Sequence, residues 1–287
     1  MKKVLMLICM LSTGSLAWAQ ATAPTLGSAA TFAVLGSSNV TCTASPNGII
    51  SGDVGVSPGV FTNTTGCIVV GTVRQSDSAA INALTALNTA YQNALVANSG
   101  CTGSLAAAPP VSFTLGPGVY CNTGAAGLTF TTITLTLDAG GNANAVWVFK
   151  IDASLTGTGF QVVMANGAQP CNVYWLVGTD STLTTSTFQG NILAGGPTGS
   201  FTSTDGTLIG RVLANGAVTM TRPNVHGTCA LAAQGGAGCE ANEKDHDKDR
   251  DKDKDKDKDK DRDHDKGRDK DKDKDKDNDK DQEHRDL

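Results

Sequence analysis

The sequence predicts a mainly β protein: a solenoid of stacked laps, one long helix packed alongside, and a disordered charged tail. Three observations predict it. First, Thr184-Thr185-Ser186-Thr187, Thr204-Asp205-Gly206-Thr207 and Thr221-Arg222-Pro223-Asn224 share the form Thr-x-x-Thr/Asn, with starts 20 and then 17 residues apart. Second, a long helical apolar period occupies residues 76–98. Third, charge is concentrated after residue 239. Other landmarks step with the threonines: Asn191-Ile192-Leu193-Ala194 returns as Arg211-Val212-Leu213-Ala214, and Gly190, Gly210 and Gly227 keep the beat. A recurrence near 20 residues in short β-rich runs marks a solenoid. Each lap then lies about 4.8 Å from the last, and equivalent residues line up in files. A rigid file of Thr hydroxyls and methyls suits binding to an ordered lattice and is poorly suited to chemistry.

Along the chain, residues 1–19 read as a secretory signal. Lys2 and Lys3 begin it, Val4 to Leu11 form its apolar stretch, and Ala17-Trp18-Ala19 is a small-x-small cleavage site. That stretch is too short to span a membrane, and no other segment is long enough. The expected location is therefore outside the cytoplasm, extracellular or periplasmic.

Residues 20–239 carry only ten charges: Arg74, Lys150, Arg211 and Arg222 against Asp53, Asp77, Asp138, Asp152, Asp180 and Asp205. About 220 such residues suffice for one domain with a real core. Phe32-Ala33-Val34-Leu35 and Ile68-Val69-Val70 read as strands, punctuated by Gly, Asn, Ser and Pro. In the helix, Ser76 or Ser78 can cap the start, and Ile81, Leu84, Leu87, Tyr91 and Leu95 recur at helical spacing. Strands resume at Val111. The fully apolar runs Ala145-Val146-Trp147-Val148-Phe149 and Val173-Tyr174-Trp175-Leu176-Val177 suggest strands buried on both faces, one of them covered by the helix.

The tail, residues 240–287, holds 17 basic and 22 acidic groups. Its Asp-Lys alternation puts like charges at i and i+4, which opposes a helix. With no apolar residue between Ala241 and Leu287 it has next to nothing to bury, so disorder is expected. Neither part has the basic excess of a nucleic-acid binder.

Seven cysteines remain after the signal, and export makes disulfides the expected state. The favoured pairs are Cys42–Cys67 and Cys101–Cys121, which join near neighbours, and Cys171–Cys229, which brackets the repeats. Cys239, past the last strand signal, is left over. No metal site is expected, because there is no CxxC and only one histidine, His226, before the tail. No cofactor is expected either.

The order of several segments resembles the secreted microbial ice-binding proteins built on a discontinuous β-solenoid. They are Phe32-Ala33-Val34-Leu35 with its Gly-Ser-Ser-Asn turn, Ser51-Gly52-Asp53-Val54-Gly55-Val56-Ser57-Pro58-Gly59, the Ala-rich helix, and Leu115-Gly116-Pro117-Gly118-Val119-Tyr120-Cys121. Leu137-Asp138-Ala139, Asn144-Ala145-Val146-Trp147-Val148-Phe149, Cys171-Asn172-Val173-Tyr174-Trp175, and Gly210-Arg211-Val212-Leu213-Ala214 with Gly216-Ala217-Val218-Thr219 follow. The resemblance spans Leu26 to about Cys229. It implies an irregular right-handed β-solenoid of triangular section, with a flat face that adsorbs to ice. Some members carry Thr-Ala/Gly-x-Thr/Asn on that face. Here the outer positions match, while the second positions are Thr185, Asp205 and Arg222.

The expected site is therefore Thr184, Thr187, Thr204, Thr207, Thr221 and Asn224 on one exposed face, with ice and its ordered water as the partner of a monomeric protein. Ordinary strand propensity is the plain alternative for these threonines. A surface or adhesion module on the same scaffold is the rival function. A polysaccharide-acting enzyme using Asp53, Asp138 and Asp152 is a weaker one, since Asp at such turns is explained by hydrogen bonds to its own backbone. Trp147 and Trp175 could stack on sugars, but their apolar flanks mark them as core. The tail reads as a solvated bristle, with attachment to a cell surface or matrix as a second role. Its Asp-x-Asp runs and His246, His264 and His284 lack the Gly turn and terminal Glu of a Ca²⁺ loop.

Overall fold

A computed structural model describes residues 20–44 and 47–227. The expected signal peptide, the tail, Cys229 and Cys239 lie outside these residues.

Three stacks of parallel strands build a β-solenoid. Each complete lap contributes one strand to each of three faces. The first face runs, in stacking order, Val73–Gln75, Asp53–Val56, Phe32–Gly36, Val212–Ala214, Asn191–Ala194, Val173–Val177, Trp147–Ile151, Gly118–Asn122 and Gly103–Ser104. The stacking order departs from the chain order. The N-terminal strand Phe32–Gly36 pairs with the last first-face strand, Val34 opposite Val212 and Leu35 opposite Leu213. The two N-terminal laps thus sit on top of the C-terminal lap, and Ser78–Ala97 carries the chain back to the far end, where winding restarts at Gly103. Its 20 residues span about 30 Å at 1.5 Å per residue, or about six laps.

Strand period explains how the first face is buried twice. Trp147, Phe149 and Ile151 point into the solenoid, while Val148 points out against the helix. Leu35, Val119, Leu176, Leu193 and Leu213 repeat that outward position, where they meet Ala83, Leu87, Ala90, Tyr91 and Ala94. The helix therefore beds down on a stripe richer in alanine than the periodicity implied. Ile81 is exposed, and Leu84 and Leu95 are only partly buried. Small side chains let the helix backbone approach the sheet closely, and this rotates the larger apolar residues to the margin. The N-cap is Asp77 rather than Ser76 or Ser78: its Oδ1 accepts from Ala80 N–H at 2.8 Å. Asp77→Ala should lower stability by about 1 kcal/mol, or about 2–4 °C in Tm for a domain of this size. An unchanged melting curve would mean packing alone holds the helix.

Inside the solenoid, aromatic rings stack from lap to lap. Phe149 lies on Trp175 with centroids 3.8 Å apart, and Phe130 on Phe160 at 4.1 Å. Trp147 and Trp175 are both fully buried, so neither is placed to hold a sugar. The glycine beat has a steric cause. At Gly210, with φ of +142°, an added Cβ would fall 1.9 Å from the Gly190 carbonyl oxygen, and at Gly227 it would fall 2.1 Å from Ala33 Cβ. Successive laps touch there at backbone distance.

Cys42 is bonded to Cys67 and Cys101 to Cys121, one bridge towards each end of the stack. Of the third favoured pair, Cys171 is partly exposed at the turn into Val173–Val177, and Cys229 lies outside the described residues.

Candidate functional site

The second face is built from Val60–Asn63, Asn39–Thr43, Val218–Thr221, residues 201–204 of Phe201–Ile209, residues 181–184 of Ser181–Gln189, Leu155–Thr158 and Leu128–Thr131. Locally each strand reads x-Thr-x-Thr or close to it: Leu-Thr-Phe-Thr, Leu-Thr-Gly-Thr, Ser-Thr-Leu-Thr, Phe-Thr-Ser-Thr, Val-Thr-Met-Thr and Val-Thr-Cys-Thr. With a strand period of two, the x positions enter the core and both threonines face out. The burial pattern agrees: Leu128 and Phe130 are fully buried, while Thr129 and Thr131 are exposed.

Register turns these dipeptides into an array. One file contains Thr129, Thr156, Thr182, Thr202, Thr219, Thr41 and Thr62; the other contains Thr131, Thr158, Thr184, Thr204, Thr221 and Thr43. All thirteen paired positions are threonine. Thr64 extends the second file, since its N–H donates to the Cys42 carbonyl at 3.0 Å and continues the ladder. Spacing is about 4.8 Å between laps and about 6.7 Å between files. Among the described residues, none of the thirteen hydroxyls is engaged in a side-chain hydrogen bond, so all can turn towards solvent. No ionisable side chain stands within the two files.

The six residues expected from the Thr-x-x-Thr/Asn ladder fall into two files, but on two faces. Thr184, Thr204 and Thr221 form one edge of the threonine face. Thr187 pairs with Thr207, and Asn224 donates to Thr207 Oγ1 at 3.1 Å; these three begin the third face. The residue between explains the split. Thr185, Asp205 and Arg222 have φ of +46°, +57° and +50°, a left-handed conformation that breaks strand alternation and turns the chain. Thr184 and Thr185 both point outward, and Ser186 then returns to the interior. Its hydroxyl locks the bend, accepting from Phe160 N–H at 3.2 Å and lying 2.9 Å from the Thr184 carbonyl, to which it donates. The third face is chemically mixed: beyond Thr187, Thr207 and Asn224 the same file holds Thr134, Gln161, Ile49 and Ile68.

The sequence ladder thus found the edge of the array and missed its body. The signal that could have found it is the alternation Thr-x-Thr itself, present in every strand of this face except Val60–Asn63, where the second Thr lies just past the strand end.

The carboxylates of the enzyme alternative lie on different laps, each holding backbone. Asp53 Oδ1 accepts from Thr72 N–H at 2.7 Å, Asp138 Oδ1 from Gly140 N–H at 2.8 Å, and Asp152 Oδ2 from Gly124 N–H at 3.3 Å. The Asp138 carboxyl is held below the usual carboxylate range, by the Gly140 N–H first and the Asn166 amide second. Among the described residues no three His, Cys, Asp or Glu come together.

Comparison with known proteins agrees with this architecture. Residues 34–226 match the family described as Ice-binding-like. An ice-binding protein of Nostoc sp. (strain HG1) is 41% identical over 219 residues, covering 73% of this chain and 76% of that protein. The crystal structure of an ice-binding protein from an Antarctic biological consortium superposes with a TM-score of 0.61 at 34% identity, over 71% of this chain and 90% of its own. A glycosylated ice-binding protein from an Arctic yeast gives 0.62 at 28% identity, over 71% and 93%. With the family match covering well over half of its length, and the lap-stacked β architecture shared with these structures, the chain belongs to the ice-binding-like family.

Proposed function

We propose that this protein adsorbs to ice through the threonine face and limits crystal growth or recrystallisation outside the cell. The observation that carries the reading is the pair of files, thirteen threonines in register over seven laps. Each offers a short hydroxyl and a methyl on a backbone fixed by the interlap ladder. Hydroxyls can hydrogen-bond ordered water, and the methyls between them favour a cage-like arrangement of that water. A lattice can use such a grid because every rung repeats the same contact, whereas a small molecule would use one rung at most. Thr187, Thr207 and Asn224 would be a flanking file across the bend.

In this reading residues 1–19 direct export, residues 20–239 are the adsorbing domain, and residues 240–287 keep a low-charge body dispersed or hold it to a surface. The adhesion alternative draws on the Asp205–Arg222 ion pair, which interrupts the evenness of the bend.

A recrystallisation assay on the exported protein tests the reading, and its pH dependence sharpens the test. The threonine face has nothing to titrate. The Asp205 carboxyl is held low by the hydrogen bond from Arg222, and Asp138 by the bonds given above. A depressed carboxyl contributes stability above its unfolded value of about 3.9, lost only as pH falls through the lower folded value. Inhibition should therefore be flat from about pH 5 to 9 and decline only below about pH 4. A protein inert towards ice at every pH would sink the proposal. A steep change near neutrality would move the site to a titrating surface.

A further inference from the structure

The bend between the threonine face and the third face is a ridge with its own file of side chains. Five laps turn there on a left-handed residue: Thr132, Gly159, Thr185, Asp205 and Arg222, with φ between +46° and +59°. Glycine takes this conformation freely, as at Gly159, whereas Thr, Asp and Arg take it at a cost. Three laps carry a short or absent side chain on the ridge. The next two carry Asp205 and Arg222, whose guanidinium donates from Nε and Nη2 to both carboxylate oxygens. These side chains remain 33% and 44% exposed. They stand in line between Thr204 and Thr221 on one side and Thr207 and Asn224 on the other.

Resting on the ice-binding reading above, we propose that the Asp205–Arg222 pair is a specificity determinant that confines adsorption to the threonine face. Over five laps the file beyond the ridge holds Thr134, Gln161, Thr187, Thr207 and Asn224, a second row of hydroxyls and amides, before it passes to Ile49 and Ile68. Laying that row and the ridge on a crystal plane would press a salt-bridged pair against ice. The pair must then give up hydration that the lattice cannot replace, and charged groups resist this most strongly. The Arg222 side chain also lifts the surface locally. The threonine face bears neither obstacle. The result is one surface for one set of ice planes, with a latent second row kept out of contact.

The test compares the wild type with Asp205→Gly/Arg222→Gly and, in the same series, Thr202→Tyr. Fluorescently labelled protein is adsorbed to a single-crystal ice hemisphere, and thermal hysteresis and Tm are measured beside it. The double glycine variant should label a plane that the wild type leaves dark. Its hysteresis at equal concentration should rise above that of the wild type, because three files rather than two would meet ice. Glycine relieves the left-handed backbone, so Tm should hold. The same planes and the same hysteresis overturn the proposal. So does a fall in Tm without a new plane, which would make the pair a staple between laps. If the glycine variant fails to fold, Asp205→Asn/Arg222→Asn, which tolerates the same conformation, is read by the same criteria. Activity retained in Thr202→Tyr would instead remove the threonine-face reading, whereas Thr202→Tyr silenced and the glycine pair unchanged would remove only the ridge inference.

Discussion

Thr202→Tyr should abolish most of the ice activity while leaving the fold intact. Thr202 is an exposed rung in the middle of its file, paired with Thr182 on one side and Thr219 on the other, and two residues from Thr204 in the same strand. A phenol ring there stands proud of the neighbouring methyls and lifts the face off the lattice over several rungs. Losing even about 1.4 kcal/mol of adsorption is a tenfold drop in affinity. The fold should tolerate the change, because an exposed strand position accepts tyrosine readily and surface substitutions typically shift stability by less than about 0.5 kcal/mol. Thr207→Tyr, across the ridge, should cost far less activity. The opposite ranking, with Thr207→Tyr silent and Thr202→Tyr active, would place the adsorbing surface on the third face.

Trp175→Ala should have the largest effect on stability. The ring is fully buried, stacked on Phe149 at 3.8 Å, tilted against Phe188 at 4.9 Å, and edge-on to Phe130 and Phe160 at 6.4 Å. Its Nε1 donates to the Gln189 carbonyl at 3.2 Å. Truncation removes the central ring of an interlap stack, and the hydrogen-bonded β ladders on every side resist collapse into the void. A cost of about 3–5 kcal/mol is expected, lowering Tm by about 10 °C for a domain of this size. Trp175→Phe should recover part of it. A loss below about 1 kcal/mol in calorimetry would mean the interior closes around the gap, and the rigidity attributed to the scaffold would be misplaced.

Much of the fold was legible because it depends on local chemistry. The helix declares itself by its period over residues 76–98, while its cap, Asp77 rather than Ser76 or Ser78, needed the structure. The apolar runs around Trp147 and Trp175 declare strands buried on both sides. The bonded pairs Cys42–Cys67 and Cys101–Cys121 are the near neighbours that the cysteine spacing favours. The threonine array proposed as the adsorbing surface was legible only at its edge. Thr184, Thr204 and Thr221 stood out by their 20- and 17-residue spacing, but Thr129, Thr156 and Thr182 are separated by 27 and 26, and Thr41 and Thr62 come from the other end of the chain. An irregular spacing hides a regular array when turns of different length join identical strands.

By itself, then, the sequence determined that short threonine-bearing strands would stack around an aromatic core, with one helix against an apolar sheet. Alternation and periodicity are properties of single segments. Tertiary structure decided which lap neighbours which, and where the faces part. Interlap hydrogen bonds join backbone to backbone and are alike for any pair of laps, so nothing local specifies that Val34 meets Val212 or that Thr43 meets Thr221. The ridge is equally hidden, because Thr185 and Arg222 are residues that disfavour the left-handed turn they make. Only the closure of the laps around a packed interior holds them in it.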